Sequence, residues 1–216
     1  MKKIILILFL FLLGVACYFI YHKTQTDKLY ITSIGDSLAT YKYINNSKIK
    51  NYNIEFTNND LKINDLLHML KSSYEDDITP TIHQTLKKSD IIILSIGIND
   101  IYYKLNDNTK EIYTYLNNII NTYEEIFKEI NKYNYQKVFV LGYYNITNDN
   151  NDLFNYINYK LAKLSENNTY TYLDLNKIIY NNPQYLKKTT NYHLNELGFK
   201  QISTLIVENL KKYDII

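Results

Sequence analysis

The chain has 216 residues, a net charge of +2 and a single cysteine. Its basic residues are all lysines spread along the sequence, which excludes the concentrated basic surface of a typical nucleic-acid-binding protein. One cysteine excludes a disulfide framework, and the cysteine and histidine spacing indicates no metal site. About 190 residues follow the apolar N-terminus, which is enough for one well-buried domain.

The N-terminal segment is an almost unbroken apolar run from Ile4 to Tyr21, preceded by Lys2 and Lys3. Its length of about 18 residues is what a helix needs to cross a hydrocarbon core, and lysines before it favour an inside N-terminus. We predict that residues 1–27 are an uncleaved, single-pass signal anchor in the cell membrane with a short linker, and that the following domain is extracytoplasmic. Two alternatives remain open, a cleaved signal peptide on a secreted protein and a lipoprotein modified at Cys17.

Residues 28–216 alternate strand-like and helix-like segments and are predicted to form one domain. The predicted strands are Leu29 to Ile34, Asn53 to Thr57, Ile91 to Ile96, Lys137 to Leu141 and Tyr170 to Leu175. Helical patterns lie near Leu61 to Leu70, Pro80 to Lys88, Ile112 to Ile130, Asp152 to Leu164 and Ile202 to Leu210. The third strand is a continuous β-branched and leucine run, typical of burial on both faces of a parallel sheet. Strands with helical crossovers predict an α/β fold, a three-layer α/β/α sandwich around a five-stranded, mostly parallel sheet.

Three polar segments lie at or near the carboxyl edge of the predicted sheet, where open α/β sheets bind their ligands. Ser37 lies in Gly35-Asp36-Ser37-Leu38 directly after the first strand, and Asn99 lies in Gly97-Ile98-Asn99-Asp100 just past the third. His193 precedes the last helix. In an open parallel sheet these positions share the carboxyl edge. Because acyl transfer needs a serine, an imidazole base and donors for the developing oxyanion, the sequence predicts a serine hydrolase site at this edge.

On these segments the chain resembles the SGNH, or GDSL, hydrolase family from about Lys28 to Tyr213. The matching blocks, in chain order, are Ile34-Gly35-Asp36-Ser37-Leu38, Gly97-Ile98-Asn99-Asp100 and His193-Leu194-Asn195-Glu196-Leu197-Gly198-Phe199. The resemblance implies the flavodoxin-like SGNH hydrolase fold and an ester hydrolase that uses no metal and no organic cofactor. It also implies that Ser37 is the nucleophile and an oxyanion donor through its backbone N–H, that Asn99 is a second oxyanion donor, and that His193 is the general base.

Two features of that family are missing. The aspartate that usually stands three residues before the histidine is replaced by Thr190. His193 could be oriented by a backbone carbonyl, by Thr190 or by Asp174 at the end of the fifth strand, or the enzyme could have lost its activity. The glycine expected after the second strand is also absent, which leaves the backbone N–H of Asn59 or Asp60 as the corresponding oxyanion donor.

The sequence therefore predicts a serine esterase with a small acyl ester as its substrate, either an acetylated cell-wall sugar or a lipid ester such as a lysophospholipid. Tyr102 and Tyr103 follow Asn99 closely, and two interpretations of them stay open, an acyl pocket or ordinary packing. The rival hypothesis is a non-catalytic surface module that binds a glycan or a protein. A flavodoxin-like cofactor domain is weaker, because no glycine-rich phosphate loop follows the first strand.

Overall fold

The computed structural model describes residues 11–18, 29–39, 49–51, 56–57, 61–72, 81–105, 109–145, 150–188 and 193–216. The strands are β1 (Leu29–Gly35), β2 (Ile49–Asn51), β3 (Phe56–Thr57), β4 (Ile91–Ser95), β5 (Lys137–Leu141) and β6 (Thr171–Leu173). The helices are α1 (Ile63–Lys71), α2 (Ile82–Leu86), α3 (Ile98–Lys104), α4 (Thr109–Ile130), α5 (Asn151–Asn167), α6 (Asn176–Ile179) and α7 (Glu196–Lys212). Short 3-10 turns cover Ser37–Ala39 and Pro183–Tyr185.

All the strand pairs described are parallel. The order is β2-β1-β4-β5-β6, and β3 also pairs with β1. Ile34 and Gly35 of β1 pair with β3 and with β4 at the same positions, so these two neighbours occupy opposite edges of β1. β2 and β3 therefore follow one another along one edge, which gives the sheet five strand positions. The predicted α/β sandwich with a five-stranded parallel sheet is confirmed.

Helices cover both faces of the sheet, as short parallel crossovers require. On one face α4 packs between α1 and α5. Its predicted apolar stripe is buried at Ile112, Leu116, Ile119, Tyr123, Ile126, Phe127 and Ile130. α7 buries Ile202, Ile206 and Leu210 in the same core. Every residue of β4 is buried, because β4 has strands on both edges and helices above and below.

The sequence-based boundaries hold closely for the long elements and less well for the short ones. β5 matches its prediction at both ends, and β1 and β4 differ by a single residue. The predicted strand Asn53 to Thr57 overlaps β3 at Phe56–Thr57, and residues 53–55 lie outside the described part of the chain. No strand is predicted at the position of β2. β6 is shorter than predicted, so Asp174 lies beyond it rather than within the strand.

The predicted membrane-spanning run lies mostly outside the described residues. Residues 11–18 are helical. Among the residues described, no helix combines the length and the apolar character needed to span a bilayer.

Candidate functional site

The candidate site is the crevice between the carboxyl ends of β1 and β4. From β1 the chain runs outward to β2, whereas from β4 it runs the other way to β5. The connections that leave these two neighbouring strands therefore diverge and open a gap at the carboxyl edge. Ligands of open α/β sheets bind at such a switch point. Ser37 follows β1 and Asn99 follows β4, so these two residues lie at the strand ends that border the crevice.

The turn that carries Ser37 requires glycine at its start. Gly35 has φ +130°, and a Cβ on it would lie 1.6 Å from the carbonyl oxygen of Ser95. That carbonyl instead accepts the N–H of Asp36 at 2.7 Å. The β1–β4 pairing is thereby extended one residue beyond the strand, and Ser37 starts a 3-10 turn at the sheet edge. Ser37 is partly exposed there.

Asp36 lies beneath this turn and is completely buried. Its Oδ1 accepts the backbone N–H of Leu38 at 3.1 Å and the hydroxyl of Ser95 at 3.3 Å. The first contact closes an Asx-turn around Ser37, and the second ties the turn to β4. Burial raises the pKa of the Asp36 carboxyl to about 7, and the N–H groups of Leu38 and Ile98 oppose the rise.

Asn99 stands in the first turn of α3, behind a left-handed glycine. Gly97 has φ +98° and reverses the chain between β4 and the helix. The side-chain amide of Asn99 donates a hydrogen bond of 3.2 Å to the carbonyl of Leu61. This contact fixes the plane of the amide and joins it to the segment ahead of α1, which follows the region where the family resemblance implies a glycine.

Two buried tyrosines hold the backbone just before Asn99. The hydroxyls of Tyr123 and Tyr143 donate to the carbonyl of Ile96 at 2.6 and 2.8 Å, and the N–H of Ile96 donates to the Tyr123 hydroxyl at 3.3 Å. Ile96 lies past the end of β4, so the sheet ladder does not satisfy its backbone groups. The tyrosines replace the missing ladder bonds and position the loop that presents Asn99.

Asp100 is a structural carboxylate rather than a second functional group of the loop. Its Oδ2 accepts the backbone N–H of Ile63 at 3.0 Å, at the first residue of α1. Burial raises the pKa of this carboxyl, and the Ile63 N–H opposes the rise. Asn99 and Asp100 therefore make two adjacent links from α3 to the start of α1.

The His193 loop is anchored to the chain that follows α6. The carbonyl of His193 accepts the N–H of Lys187 at 2.7 Å, and Leu194 forms an antiparallel bridge with Leu186. The side chain of Asn195 donates to the Leu186 carbonyl at 3.0 Å and accepts the N–H of Gly198 at 3.1 Å. Asn195 is thus the N-cap of α7, as its place before the helix predicts. His193 itself is partly buried.

The structure brings the predicted residues together unequally. Ser37 and Asn99 follow hydrogen-bonded strands, while His193 enters from a loop after the distant edge strand β6. Asp174 accepts the N–H of Asn176 at 3.1 Å and pairs with the Lys177 ammonium at 3.4 Å, both within α6. Thr190, Asn59 and Asp60 lie outside the described residues.

The tyrosines after Asn99 have different environments. Tyr102 is half-buried, and its ring centroid lies 6.0 Å from that of Phe154. Tyr103 is 75% exposed. Tyr102 therefore packs against the neighbouring layer, whereas Tyr103 stands on the surface one helical turn from Asn99.

Sequence reasoning missed the buried supports of the site. The sequence indicates Asp36 only as part of the Gly35-Asp36-Ser37-Leu38 segment, and Tyr123 only as a member of the apolar stripe of α4. The one local signal for Asp36 is its position as a polar residue directly after an apolar strand. Tyr143 carries no local signal, because its partner Ile96 lies 47 positions away.

The histidines outside the candidate site have other roles. His83 is held by the Tyr133 hydroxyl through Nδ1 and by the Ser72 carbonyl through Nε2, the second contact measuring 2.7 Å. His68 lies on the exposed face of α1. His83 is therefore a structural histidine and His68 a surface one.

No protein-family model matches the chain, and no curated protein is detectably similar to it in sequence. Solved structures are similar in fold. A lipase, Lip_vut3, from a goat rumen metagenome has a TM-score of 0.68 at 16% identity, covering 83% of this chain and 96% of the lipase. Axe2, an acetylxylan esterase from Geobacillus stearothermophilus, has a TM-score of 0.61 at 14% identity, covering 84% and 93%. LAE5, an alpha/beta hydrolase enzyme from a Lake Arreo metagenome, has a TM-score of 0.57 at 16% identity, covering 84% and 94%. The chain shares the three-layer α/β/α fold of these proteins.

Proposed function

We propose that the chain is a serine ester hydrolase whose active site is the crevice between β1 and β4. The observation that carries this proposal is the placement of Ser37 and Asn99 on the two sides of that crevice, each on a turn that begins at a left-handed glycine. Rigid turns at a switch point hold a nucleophile and an oxyanion donor at a defined separation. The chain's fold, shared with a lipase and an acetylxylan esterase, supports the same chemistry.

The proposed reaction begins when the Ser37 hydroxyl oxygen bonds to the carbonyl carbon of the ester, while His193 takes the hydroxyl proton. The resulting oxyanion accepts hydrogen bonds from the Ser37 backbone N–H and the Asn99 side-chain amide. Collapse of this intermediate breaks the bond to the alkoxy group, which leaves with the proton from His193. Water then attacks the acyl-enzyme in the same way, with His193 again as the base, and releases the carboxylic acid.

The orientation of His193 is the least usual part of this proposal. Axe2 variants described as catalytic mutants replace a serine, an aspartate and a histidine, and the aspartate lies 3 positions before the histidine. The corresponding position here is Thr190. We propose a Ser37–His193 dyad in which Thr190 or a backbone carbonyl fixes the imidazole. Asp174 is a weaker candidate, because its carboxylate already caps α6.

The proposed substrates are acyl esters, either acetylated cell-wall sugars or lipid esters. Residues 1–27 are proposed to hold the catalytic domain, residues 28–216, at the outer face of the cell membrane. Lipoprotein modification at Cys17 or release after cleavage are the alternatives. In each case the site faces extracytoplasmic material.

The test is covalent labelling with a fluorophosphonate probe, followed by peptide mass spectrometry. We expect an adduct on Ser37, no adduct in Ser37→Ala, and much slower labelling in His193→Ala. Ester turnover by the unmodified protein should be lost in parallel with labelling.

The competing hypothesis is a surface module that keeps this fold and binds a glycan or a protein without catalysis. The replacement of the usual aspartate by Thr190 and the missing glycine after the second strand favour it. If folded protein neither labels nor hydrolyses esters, the catalytic proposal is wrong and the binding module replaces it.

A further inference from the structure

A positively charged aromatic pair stands beside the candidate oxyanion donor. Tyr103 is 75% exposed, and the ammonium of Lys62 lies 5.3 Å from its ring centroid. Lys62 is also exposed. An ammonium at this distance is attracted to the ring face, which restrains an otherwise mobile side chain.

This pair is continuous with the catalytic crevice. Asn99 and Tyr103 are four residues apart on α3, so they lie on the same face of the helix, separated by about 6 Å along its axis. Leu61 accepts the Asn99 amide at 3.2 Å, and Lys62 is the next residue. The Asn99–Leu61 contact and the Lys62–Tyr103 contact are therefore neighbouring steps along one strip that leads out of the crevice.

Two lysines contribute positive charge to this strip, and the carboxylates of Asp65 and Asp100 lie near Lys62. Lys104 is the residue after Tyr103, and its ammonium lies 5.7 Å from the Tyr103 ring centroid. Asp65 caps α1 through the backbone N–H of Lys62, at 3.3 Å. Within the described part of the chain, no carboxylate forms an ion pair with the Lys62 ammonium. Lys62 is thus placed to bind an anion supplied from outside.

We propose that Lys62 and Tyr103 form a subsite for an anionic group on the alcohol part of the ester substrate. The inference rests on the proposed function and narrows its substrate class. The Lys62 ammonium donates charge-assisted hydrogen bonds to the anion, and the Tyr103 ring covers the adjacent uncharged part of the substrate. A carboxylate on an acidic sugar and a phosphate on a lipid headgroup share this chemistry.

The test measures hydrolysis of three aryl acetates by the full chain, which is kept in solution by dodecyl maltoside. They are 4-acetoxybenzoate, its uncharged methyl ester and 4-acetoxyphenyl phosphate. For each protein variant, kcat/KM for a charged ester is divided by kcat/KM for the methyl ester, and this ratio is the anion preference. Comparing the ratio between wild type and Lys62→Gln cancels the intrinsic reactivity of each ester. We expect this anion preference to fall about threefold to fivefold in Lys62→Gln and to be kept in Lys62→Arg.

The control variant is Lys88→Gln, which removes an exposed lysine just before the amino end of β4, at the opposite edge of the sheet from the crevice. It should leave the anion preference unchanged. The preference of the wild type should also fall as NaCl is raised from about 20 to about 500 mM, because the pair is exposed to screening. A larger effect on the phosphate ester identifies phosphate as the preferred anion, and a larger effect on 4-acetoxybenzoate identifies a carboxylate.

Equal changes for charged and uncharged esters in Lys62→Gln, or the same loss of preference in Lys88→Gln, would overturn the subsite. Failure of the proposed function gives a different result, namely no Ser37-dependent hydrolysis of any ester. In that case an NMR titration that measures binding of the product 4-hydroxybenzoate still tests the inference. Weaker binding in Lys62→Gln than in Lys88→Gln supports it, and equal binding refutes it.

Discussion

The hydroxyl of Tyr143 donates a 2.8 Å hydrogen bond to the carbonyl of Ile96. The same oxygen is 2.7 Å from the position that a Cβ would occupy on Gly97. One buried atom therefore both satisfies the backbone at the end of β4 and fixes the size of the residue that turns the chain toward Asn99. Tyr143 and Gly97 are consequently expected to be coupled energetically.

Removal of this hydroxyl should reduce turnover more than binding. In Tyr143→Phe the Ile96 carbonyl keeps the Tyr123 donor, so the free energy of unfolding should fall by only about 1 kcal/mol. The loop before Asn99 becomes less restrained, and kcat should fall several-fold while KM changes little. Steady-state kinetics and urea denaturation measure the two effects. A change in KM alone would contradict the positioning role.

Alanine at Gly97 should be tolerated better when Tyr143 is phenylalanine. Gly97→Ala alone imposes a left-handed alanine and a steric conflict with the Tyr143 hydroxyl, at a cost of about 2 to 4 kcal/mol. In the Tyr143→Phe background the conflict is gone and only the backbone strain remains. A double-mutant cycle by urea denaturation should give a coupling above about 0.5 kcal/mol, and strict additivity would show that the contact is unimportant.

Replacement of Asn99 should separate catalysis from stability. Asn99→Ala removes the proposed side-chain oxyanion donor, and kcat should fall about 10²-fold to 10³-fold. The fold loses the hydrogen bond to Leu61, and the free energy of unfolding should fall by about 1 kcal/mol. Asn64→Ala, on the exposed face of α1, is the matched control. Unchanged kcat in Asn99→Ala would exclude its assigned role.

The buried carboxyl of Asp36 should make stability decline as the pH rises. Its pKa moves from 3.8 in the unfolded chain to about 7 in the fold, so the folded protein holds a proton that the unfolded chain releases. The free energy of unfolding therefore falls between about pH 4 and pH 7, by up to about 4 kcal/mol, and the loss is complete above pH 7. Asp36→Asn lacks this titration. Urea denaturation gives the free energy of unfolding of Asp36→Asn and of wild type, and the difference between the two should change across that pH window. A constant difference would show that Asp36 does not titrate there.

An aspartate introduced at Thr190 should raise activity. If His193 lacks an orienting carboxylate, Thr190→Asp supplies one at the usual spacing, and kcat/KM should rise roughly tenfold or more. Thr189→Asp places the same charge one residue away and serves as the control. A loss of activity in Thr190→Asp, with Thr189→Asp unaffected, would mean that Thr190 itself performs a role that a carboxylate cannot.

The long elements of the fold could be predicted because their signal is local. The apolar run of β4 and the helical stripe of α4 each determine their structure within a few residues. The short helices α3 and α6 have no such period, and β6 ends before Asp174, where an apolar pattern continues into Leu175.

The candidate site could be predicted only in part. The strand-end positions of Ser37 and Asn99 follow from the pattern, since the carboxyl ends of parallel strands meet at one edge. The supports do not, because they join distant parts of the chain. Tyr123 and Ile96 lie 27 positions apart, and Ser95 and Asp36 lie 59 apart. Burial of Asp36 is likewise a property of the assembled layers.

β1 comes first in chain order among the described strands, yet it lies inside the sheet. Its backbone at Tyr30 binds the Asp90 carboxylate, 60 positions later, and its inner edge is completed by β4. Pairing over such a separation forms slowly, and an apolar strand with an open edge invites association with other chains. A chain truncated before β4 is therefore expected to leave this edge of β1 open and to aggregate.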